Sequence, residues 1–170
     1  MLAETAEKIA LRERNRQHVQ IYFQKTRDEE ILCMIPSGAK SLEDALALYE
    51  ASLQKGANSY GRTIYCNDEY IGDIWCYCLD VKANPNAMLS FCIFEKAYWH
   101  KGIATIAISL FIEEISEKFH VTSLGAFLYT DNAGSIRVLE KNGFTVKEKW
   151  IEDGRESCYC EANIRRIEHE

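Results

Sequence analysis

Two short stretches of the sequence contain residue types and spacings that could bind or move charge. The first is WHKGIA at residues 99–104, which runs into an apolar segment without a Ser or Asp that could cap a helix. A helix that begins at Gly102 leaves its first N–H groups and its partial positive charge open to an anion such as a pyrophosphate. Lys101 adds positive charge beside it. The alternative is a tight turn in which the glycine serves packing only.

The second stretch is DNAGS at residues 131–135, which places Asn132 and Ser135 within one turn at the start of a predicted helix. Taken alone, an Asn that follows Asp131 at this point is a common helix cap. The first stretch matches neither GxxxxGKS/T nor GxGxxG, so it is neither a P-loop nor a dinucleotide fingerprint.

Alternating helices and strands position these stretches. The pattern predicts strands at residues 9–14, 62–66, 70–79, 88–94, 121–129, 144–150 and 156–162 and helices at residues 19–31, 41–56 and 132–142, with a further helix from residue 102. Ser41 caps the second helix, and Gly143 ends the last one. The helix from residue 102 has an apolar face of Ile103, Ile106, Ala107, Leu110 and Phe111. The order predicts a mixed α/β (α+β) layer.

Length and charge limit the class of protein. The 170 residues have the length of one domain, and we expect residues 1–170 to form it. The net charge of −6 argues against a general nucleic-acid binder, which would carry a basic patch. The longest apolar run, residues 103–112, is too short to span a bilayer, and the N-terminus has no signal-peptide core. We therefore expect a cytoplasmic protein without nucleic-acid or membrane partners.

Seven cysteines raise the question of a metal or thiol site. Cys76 and Cys78, like Cys158 and Cys160, are spaced so that a regular strand would place each pair on one face. No CxxC pair occurs, and the usual zinc spacing is missing. Buried thiols in a reducing compartment are the expected state, and we expect no metal. The alternative is a thiol or metal protein built on the two CxC pairs.

Taken together and in this order, the two stretches resemble the GNAT superfamily of CoA-dependent N-acetyltransferases. WHKGIA matches its pyrophosphate loop, Gln/Arg-x-x-Gly-x-Gly/Ala, with Trp99 at the Gln/Arg position. That Trp, with DNAGSIRVLEKNGF at residues 131–144, is most similar to the branch of ribosomal-protein N-terminal (Rim-type) acetyltransferases. The resemblance spans essentially the whole chain. It implies a mostly antiparallel sheet of about seven strands flanked by about four helices, splayed between the fourth and fifth strands.

The resemblance also implies a binding mode for acetyl-CoA as co-substrate. The pyrophosphate loop that it implies comprises Trp99, His100, Lys101, Gly102, Ile103 and Ala104, with Thr105 beside it. The strand edge that it implies for the pantetheine arm comprises Cys92, Ile93 and Phe94. Asn132 would contact the pantetheine or thioester. Ser135 would supply the proton for the departing thiolate, and the amide of Cys92 or a neighbour would stabilise the oxyanion.

This sequence departs from the family pattern at the acid and base positions. Leu139 stands where many members have a Tyr acid, and Leu89 and Gly125 stand where members of this branch often have Glu. The candidates left for the general base are Tyr129, Glu148, Glu152 or a water chain. A second interpretation of the site is an acyl-cysteine at Cys92, although a small packed hydrophobe is the more ordinary role for such a thiol.

Without a strong general base, the pKa of the acceptor amine decides how easily the amine loses its proton. Taking the proton from a Lys amine at pH 7 costs about 4.6 kcal/mol, against about 1 to 1.4 kcal/mol for an α-amine. We therefore expect transfer to a low-pKa primary amine, at a protein or peptide N-terminus or on a small molecule, by a monomer or homodimer. The rival hypothesis, based on the missing Glu and Tyr, is a catalytically silent acyl-CoA-binding module.

Overall fold

The fold is built on a seven-stranded sheet, seen in a computed structural model that describes residues 8–35 and 38–164. Its strands are β1 (Ile9–Arg12), β2 (Tyr60–Cys66), β3 (Glu69–Asp80), β4 (Asn86–Ile93), β5 (Ser123–Tyr129), β6 (Thr145–Glu152) and β7 (Arg155–Asn163). The strand order is β1-β2-β3-β4-β5-β7-β6, and every neighbouring pair is antiparallel except β4 and β5. The predicted mixed, mostly antiparallel sheet is therefore confirmed.

The described residues form five α-helices: α1 (Arg16–Lys25), α2 (Glu29–Leu32), α3 (Leu42–Ser52), α4 (Ile103–Phe119) and α5 (Ala133–Lys141). The prediction of a single helix at residues 19–31 is wrong, because residues 26–28 interrupt the helix between α1 and α2. At the end of α1 the Thr26 hydroxyl donates to the carbonyl of Tyr22 at 2.8 Å. Asp28 then starts α2 by accepting from the amide of Glu30 at 3.0 Å. Both side chains form local bonds that compete with a continuous helix.

Capping and turn residues account for most of the element boundaries. The Ser41 hydroxyl accepts from the amide of Asp44 at 3.1 Å, as predicted, and α3 starts at the next residue. This helix ends at Ser52, one turn before the predicted end at Gly56. Gly143 follows α5 with φ of +86°, the left-handed conformation expected for a residue that ends a helix.

The helices pack on opposite faces of the sheet. Tyr22 of α1 meets Trp75 of β3 edge-on at 6.0 Å on one face, and Phe111 of α4 stacks on Tyr60 of β2 at 6.1 Å on the other. The buried face of α4 consists of Ile103, Ala107, Ile108, Phe111 and Ile115. Leu110, which we predicted on that face, is 37% exposed, so the buried stripe is rotated relative to the prediction.

The cysteines are all free thiols, and one pair departs from the predicted geometry. Cys158 and Cys160 are both buried on one face of β7, as predicted. Cys76 is buried, but Cys78 is exposed and has φ of +50°, because the β3–β4 register shifts after Tyr77 and breaks the period of two. Among residues 8–35 and 38–164 no group of His, Cys, Asp and Glu could hold a metal ion. No helix of that part of the chain is long and apolar enough to cross a membrane.

The parallel pair β4 and β5 separates along its length. The two strands pair over three positions, from Asn86 opposite Ser123 to Met88 opposite Gly125. Beyond Met88, β4 continues to Ile93 and stays paired with β3, while β5 continues to Tyr129 and stays paired with β7. A gap therefore opens in the middle of the sheet, which confirms the predicted splay between the fourth and fifth strands.

Candidate active site in the gap between β4 and β5

The loop before α4 has the backbone conformation of an anion site. His100 has φ of +61° and Gly102 has φ of +78°, with Lys101 between them outside the left-handed region. Alternation of this kind turns successive N–H groups toward one side and forms a concave nest for an anion. Gly102 is the N-cap of α4 and has no side chain to bond the first N–H groups of the helix. A Cβ at Gly102 would meet no atom within 4 Å, so the space beside the nest is open.

Contacts on both sides hold this loop in place. The indole Nε1 of Trp99 donates to the carbonyl of Ile93 at 2.8 Å, which ties the loop to the end of β4. The hydroxyl of Tyr98 donates to the carboxylate of Glu69 at 2.5 Å. Within the described part of the chain, the buried hydroxyl of Thr105 has no hydrogen-bond partner. An orphaned hydroxyl and free helix amides together fit a polar ligand at the start of α4.

The register of β4 determines which of its backbone groups face the gap. The amide of Phe94 donates to the carbonyl of Ile71 on β3 at 2.9 Å, so that amide is already bonded. Because bonded and non-bonded pairs alternate in an antiparallel ladder, Cys92 also directs its backbone groups toward β3. Phe91 and Ile93 then direct theirs toward the gap. Of the predicted edge residues, only Ile93 offers its amide to a ligand there.

A cavity of about 50 Å³ occupies the gap and brings three predicted site residues together. Cys92 of β4 lies on one wall, and Asn132 and Ser135 at the start of α5 lie on the other. The side chain of Asn132 accepts from the amide of Ser135 at 3.3 Å, so Asn132 is the helix cap that the local sequence indicated. Capping fixes its position at the cavity wall. The ligand roles of Asn132 and Ser135 stay predictions.

Side chains of α1 and β3 complete the cavity, and no motif in the sequence pointed to them. Tyr22 and Trp75 line it beside Cys92. Behind them lies Asp73, which is 1% exposed and faces Cys92 across the β3–β4 register. Arg14 Nε lies 3.2 Å from a carboxylate oxygen of Asp73, as an ion pair rather than an aligned hydrogen bond. Pairing of β3 with β4 and packing of α1 on the sheet bring these residues together.

Burial dominates the electrostatics of this cluster. It raises the pKa of Asp73 to about 6, although Arg14 and the hydroxyl of Tyr70, which donates to Asp73 at 2.5 Å, act to lower it. Burial also raises the pKa of the Cys92 thiol to about 12, against the lowering effect of its hydrogen bond with Tyr22. The thiol is therefore protonated near pH 7, which argues against an acyl-cysteine because the thiolate is the nucleophile.

The three positions at which the resemblance to the family implies an acid or a base, Leu89, Gly125 and Leu139, are all packed against other side chains. Leu89 and Leu139 are 2% and 1% exposed and contribute apolar wall to the cavity. A Cβ at Gly125 would lie 2.6 Å from the ring of Tyr159 and 2.8 Å from the sulfur of Met88. A glutamate at that position would require those side chains to move. No carboxylate is among the described residues that line the cavity.

The candidates for the general base lie outside the small cavity. Tyr129 and Glu152 line a larger neighbouring cleft, and Glu148 lies opposite Tyr159 in the β6–β7 hairpin. None of the three is among the described residues that line the small cavity. The assignment of the base therefore stays open between these side chains and water.

The larger cleft has a volume of about 1970 Å³ and runs between α1, α3 and the end of the β6–β7 hairpin. It meets the small cavity at residues that line both: Tyr22, Ile35, Trp75, Ser90, Phe127 and Leu128. Leu48, Leu53 and Phe127 on its walls are 65%, 58% and 49% exposed. Small-molecule sites usually have about 300–1,000 Å³, so this cleft has room for a larger ligand.

The family model described as "Acetyltransferase (GNAT) domain" matches residues 8–145 of the sequence. The chain belongs to this family. The match begins at the residue before β1 and ends at the first residue of β6, so it includes the α4 loop, the splayed strands and α5. No curated protein matches the sequence.

Solved structures of acetyltransferases share the fold. RimL, a ribosomal L7/L12 α-N-protein acetyltransferase, superposes with a TM-score of 0.77 at 14% identity, over 94% of this chain and 92% of RimL. A spermidine N-acetyltransferase from Vibrio cholerae in complex with CoA and spermine gives 0.79 at 12% identity, over 92% and 96%. The aminoglycoside acetyltransferase AAC(6')-Ib in complex with coenzyme A gives 0.74 at 16% identity, over 91% and 94%. The names of these three proteins indicate three different acceptors on one fold.

Proposed function

We propose that this protein transfers the acetyl group of acetyl-CoA to a primary amine by direct attack in a ternary complex. The observation that supports this most is the continuity of the site along β4. Ile93 contacts the α4 loop through Trp99, and Cys92 and Ser90 line the cavity that joins the acceptor cleft. A thioester bound along this edge would lie between an anion site and an acceptor site. A cytoplasmic location, where thiols stay reduced, belongs to the same proposal.

The residues have distinct roles in this proposal. The loop amides and Lys101 hold the pyrophosphate, and the hydroxyl of Thr105 gains the partner that it lacks. An amide of β4 that faces the gap, at Phe91 or Ile93, donates to the thioester oxygen as negative charge develops there. The amine nitrogen forms a bond to the carbonyl carbon, and the carbon–sulfur bond breaks. Ser135 gives a proton to the departing thiolate, and the proton that the amine nitrogen loses returns to Ser135 through water or through one of the candidate bases.

The acceptor is a low-pKa amine, and we favour a protein or peptide N-terminus. The described residues supply no carboxylate at the reaction cavity, so an acceptor that arrives neutral is favoured. The size of the cleft and its exposed apolar residues suit a peptide. The charged residues that line it are mixed, with six Lys or Arg and four Asp or Glu, which suits a polycation less. RimL, whose name states an α-amine acceptor, has the same fold and supports this choice.

The test uses one peptide in two forms. The first has a free α-amine and no lysine, and the second is α-acetylated with one lysine. Release of CoA thiol is followed for both, with spermidine and an aminoglycoside alongside. Deprotonation at pH 7 costs about 3 kcal/mol more for the lysine amine than for the α-amine, which predicts at least a 100-fold higher rate for the free α-amine. The ratio of the two rates should become smaller toward pH 9, because the α-amine is then mostly neutral already. Equal rates for the two forms at pH 7 would contradict the low-pKa acceptor.

The second candidate is a silent acyl-CoA-binding module. The apolar walls at Leu89 and Leu139 and the covered Gly125 favour it, because they stand where the resemblance to the family implies an acid or a base. It predicts CoA binding in calorimetry without thiol release for any amine in the panel. Turnover with any member of the panel rejects it.

A further inference from the structure

Arg155, the first residue of β7, joins three segments that are distant in sequence. Its Nε and Nη2 donate to the two carboxylate oxygens of Asp131 at 2.9 and 2.8 Å. Its Nη1 donates to the carbonyl of Cys33, the residue after α2, at 2.7 Å. Its guanidinium carbon lies 3.6 Å from the ring centroid of Tyr129 at the end of β5. One side chain thus contacts the hairpin, the β5–α5 turn and the loop after α2.

This bridge lies beside the candidate site. Asp131 directly precedes Asn132, the cap of α5 at the wall of the reaction cavity. Cys33 lies between Leu32, which lines the acceptor cleft, and Ile35, which lines both the cleft and the cavity. Arg155, which itself lines the cleft, therefore connects the turn before the α5 wall of the cavity with the segment after α2.

The arrangement depends on the shape of the guanidinium group. A planar fork can bond a carboxylate through two N–H groups, reach a carbonyl with a third and lie flat on an aromatic ring. A lysine at this position could make only one of these contacts well. Side chains of Arg155 and Asp131 are 34% and 62% exposed, so their pairing adds little to the stability of the fold. Loss of the Arg155–Asp131 pair should therefore change the position of the β5–α5 turn without unfolding the protein.

We propose that Arg155 is a positioning residue that fixes the β5–α5 turn, and with it Asn132 and Ser135, against the loop after α2. The proposal rests on the proposed acetyl transfer. Without the bridge the turn moves, so Ser135 loses its alignment with the thiolate and the acceptor wall loosens. The α4 loop is not part of the bridge, so the contacts to the pyrophosphate should be retained and CoA binding should change much less than kcat.

The test compares Arg155→Lys and Arg155→Met with Arg12→Met. Arg12 is a matched control, because it pairs with Asp68 at 2.5 Å and lies 4.2 Å from the ring centroid of Tyr65 at the opposite edge of the sheet. Small misplacements of reacting groups cost up to about 100-fold in rate. We expect both Arg155 variants to lower kcat by about tenfold to 100-fold and to raise the acceptor KM, with a much smaller change in CoA Kd. Arg12→Met should change none of these.

Two further readouts separate positioning from a general effect. Asp131→Asn should lower kcat as Arg155→Met does, and the double variant should lose no more, because both changes break one bridge. Amide hydrogen exchange of residues 130–136 should become faster in the Arg155 variants and not in Arg12→Met. Unchanged amide exchange together with unchanged kcat in the Arg155 variants would overturn the proposal. An equal loss of kcat in Arg12→Met would overturn it as well. Absence of turnover in the unaltered protein would count against acetyl transfer, and the exchange rates would then decide the bridge alone.

Discussion

Replacement of Gly102 by alanine tests the anion site at the start of α4. Gly102 has φ of +78°, and a left-handed conformation costs an alanine about 1–2 kcal/mol. For a chain of this size that lowers Tm by roughly 2–8 °C. The new Cβ meets no protein atom within 4 Å, so the fold itself adds no clash. The methyl group would instead occupy the space through which a phosphate approaches the loop amides, and we expect CoA Kd to rise at least tenfold, about 1.4 kcal/mol.

Gly143→Ala is the matched control for this change. Gly143 has φ of +86° and lies at the far end of α5 from the cavity, and a Cβ there would also meet no atom within 4 Å. Thermal unfolding should show a similar loss for both variants, since the backbone strain is the same. Calorimetric titration with CoA should show weaker binding for Gly102→Ala only. An equal change of CoA Kd in the two variants would refute the anion site, because strain alone would then account for it.

Two more predictions concern the acid and the buried carboxylate. Ser135→Ala should lower kcat by about 100-fold and leave CoA Kd unchanged, because the variant loses the general acid and keeps the CoA site. The rate of thiol release is measured by stopped flow, and an unaltered rate would reject the role of Ser135 as the acid. Burial raises the pKa of Asp73 from 3.8 to about 6. The folded protein therefore holds the Asp73 proton more tightly than the unfolded chain does, and protonation of Asp73 stabilises the fold. The free energy of unfolding should therefore fall by about 3 kcal/mol as pH rises from about 4 to above 6. Asp73→Asn should remove that part of the pH dependence in urea titrations, and identical pH profiles for the two proteins would contradict the shift.

Local patterns in the sequence predicted much of the fold. The Ser41 cap, the Gly143 helix end and the alternation of β7 each depend on neighbours within a few residues, so they could be recognised along the chain. The errors arose where a local hydrogen bond or a bulge interrupted a pattern. Thr26 and its neighbours ended α1 early, and the register shift after Tyr77 exposed Cys78.

The sequence alone indicated the family, because WHKGIA is a contiguous motif that can be recognised along the chain. For Asn132 the sequence left two roles open, a contact to the pantetheine or thioester and a helix cap, and the structure shows the cap. Tertiary structure decided what surrounds them. Pairing of β3 with β4 placed Asp73 behind Cys92, and the same register turned the backbone of Ile93 rather than Phe94 toward the gap. The link from Arg155 to Cys33 spans 122 residues, and only folding brings such groups within bonding distance.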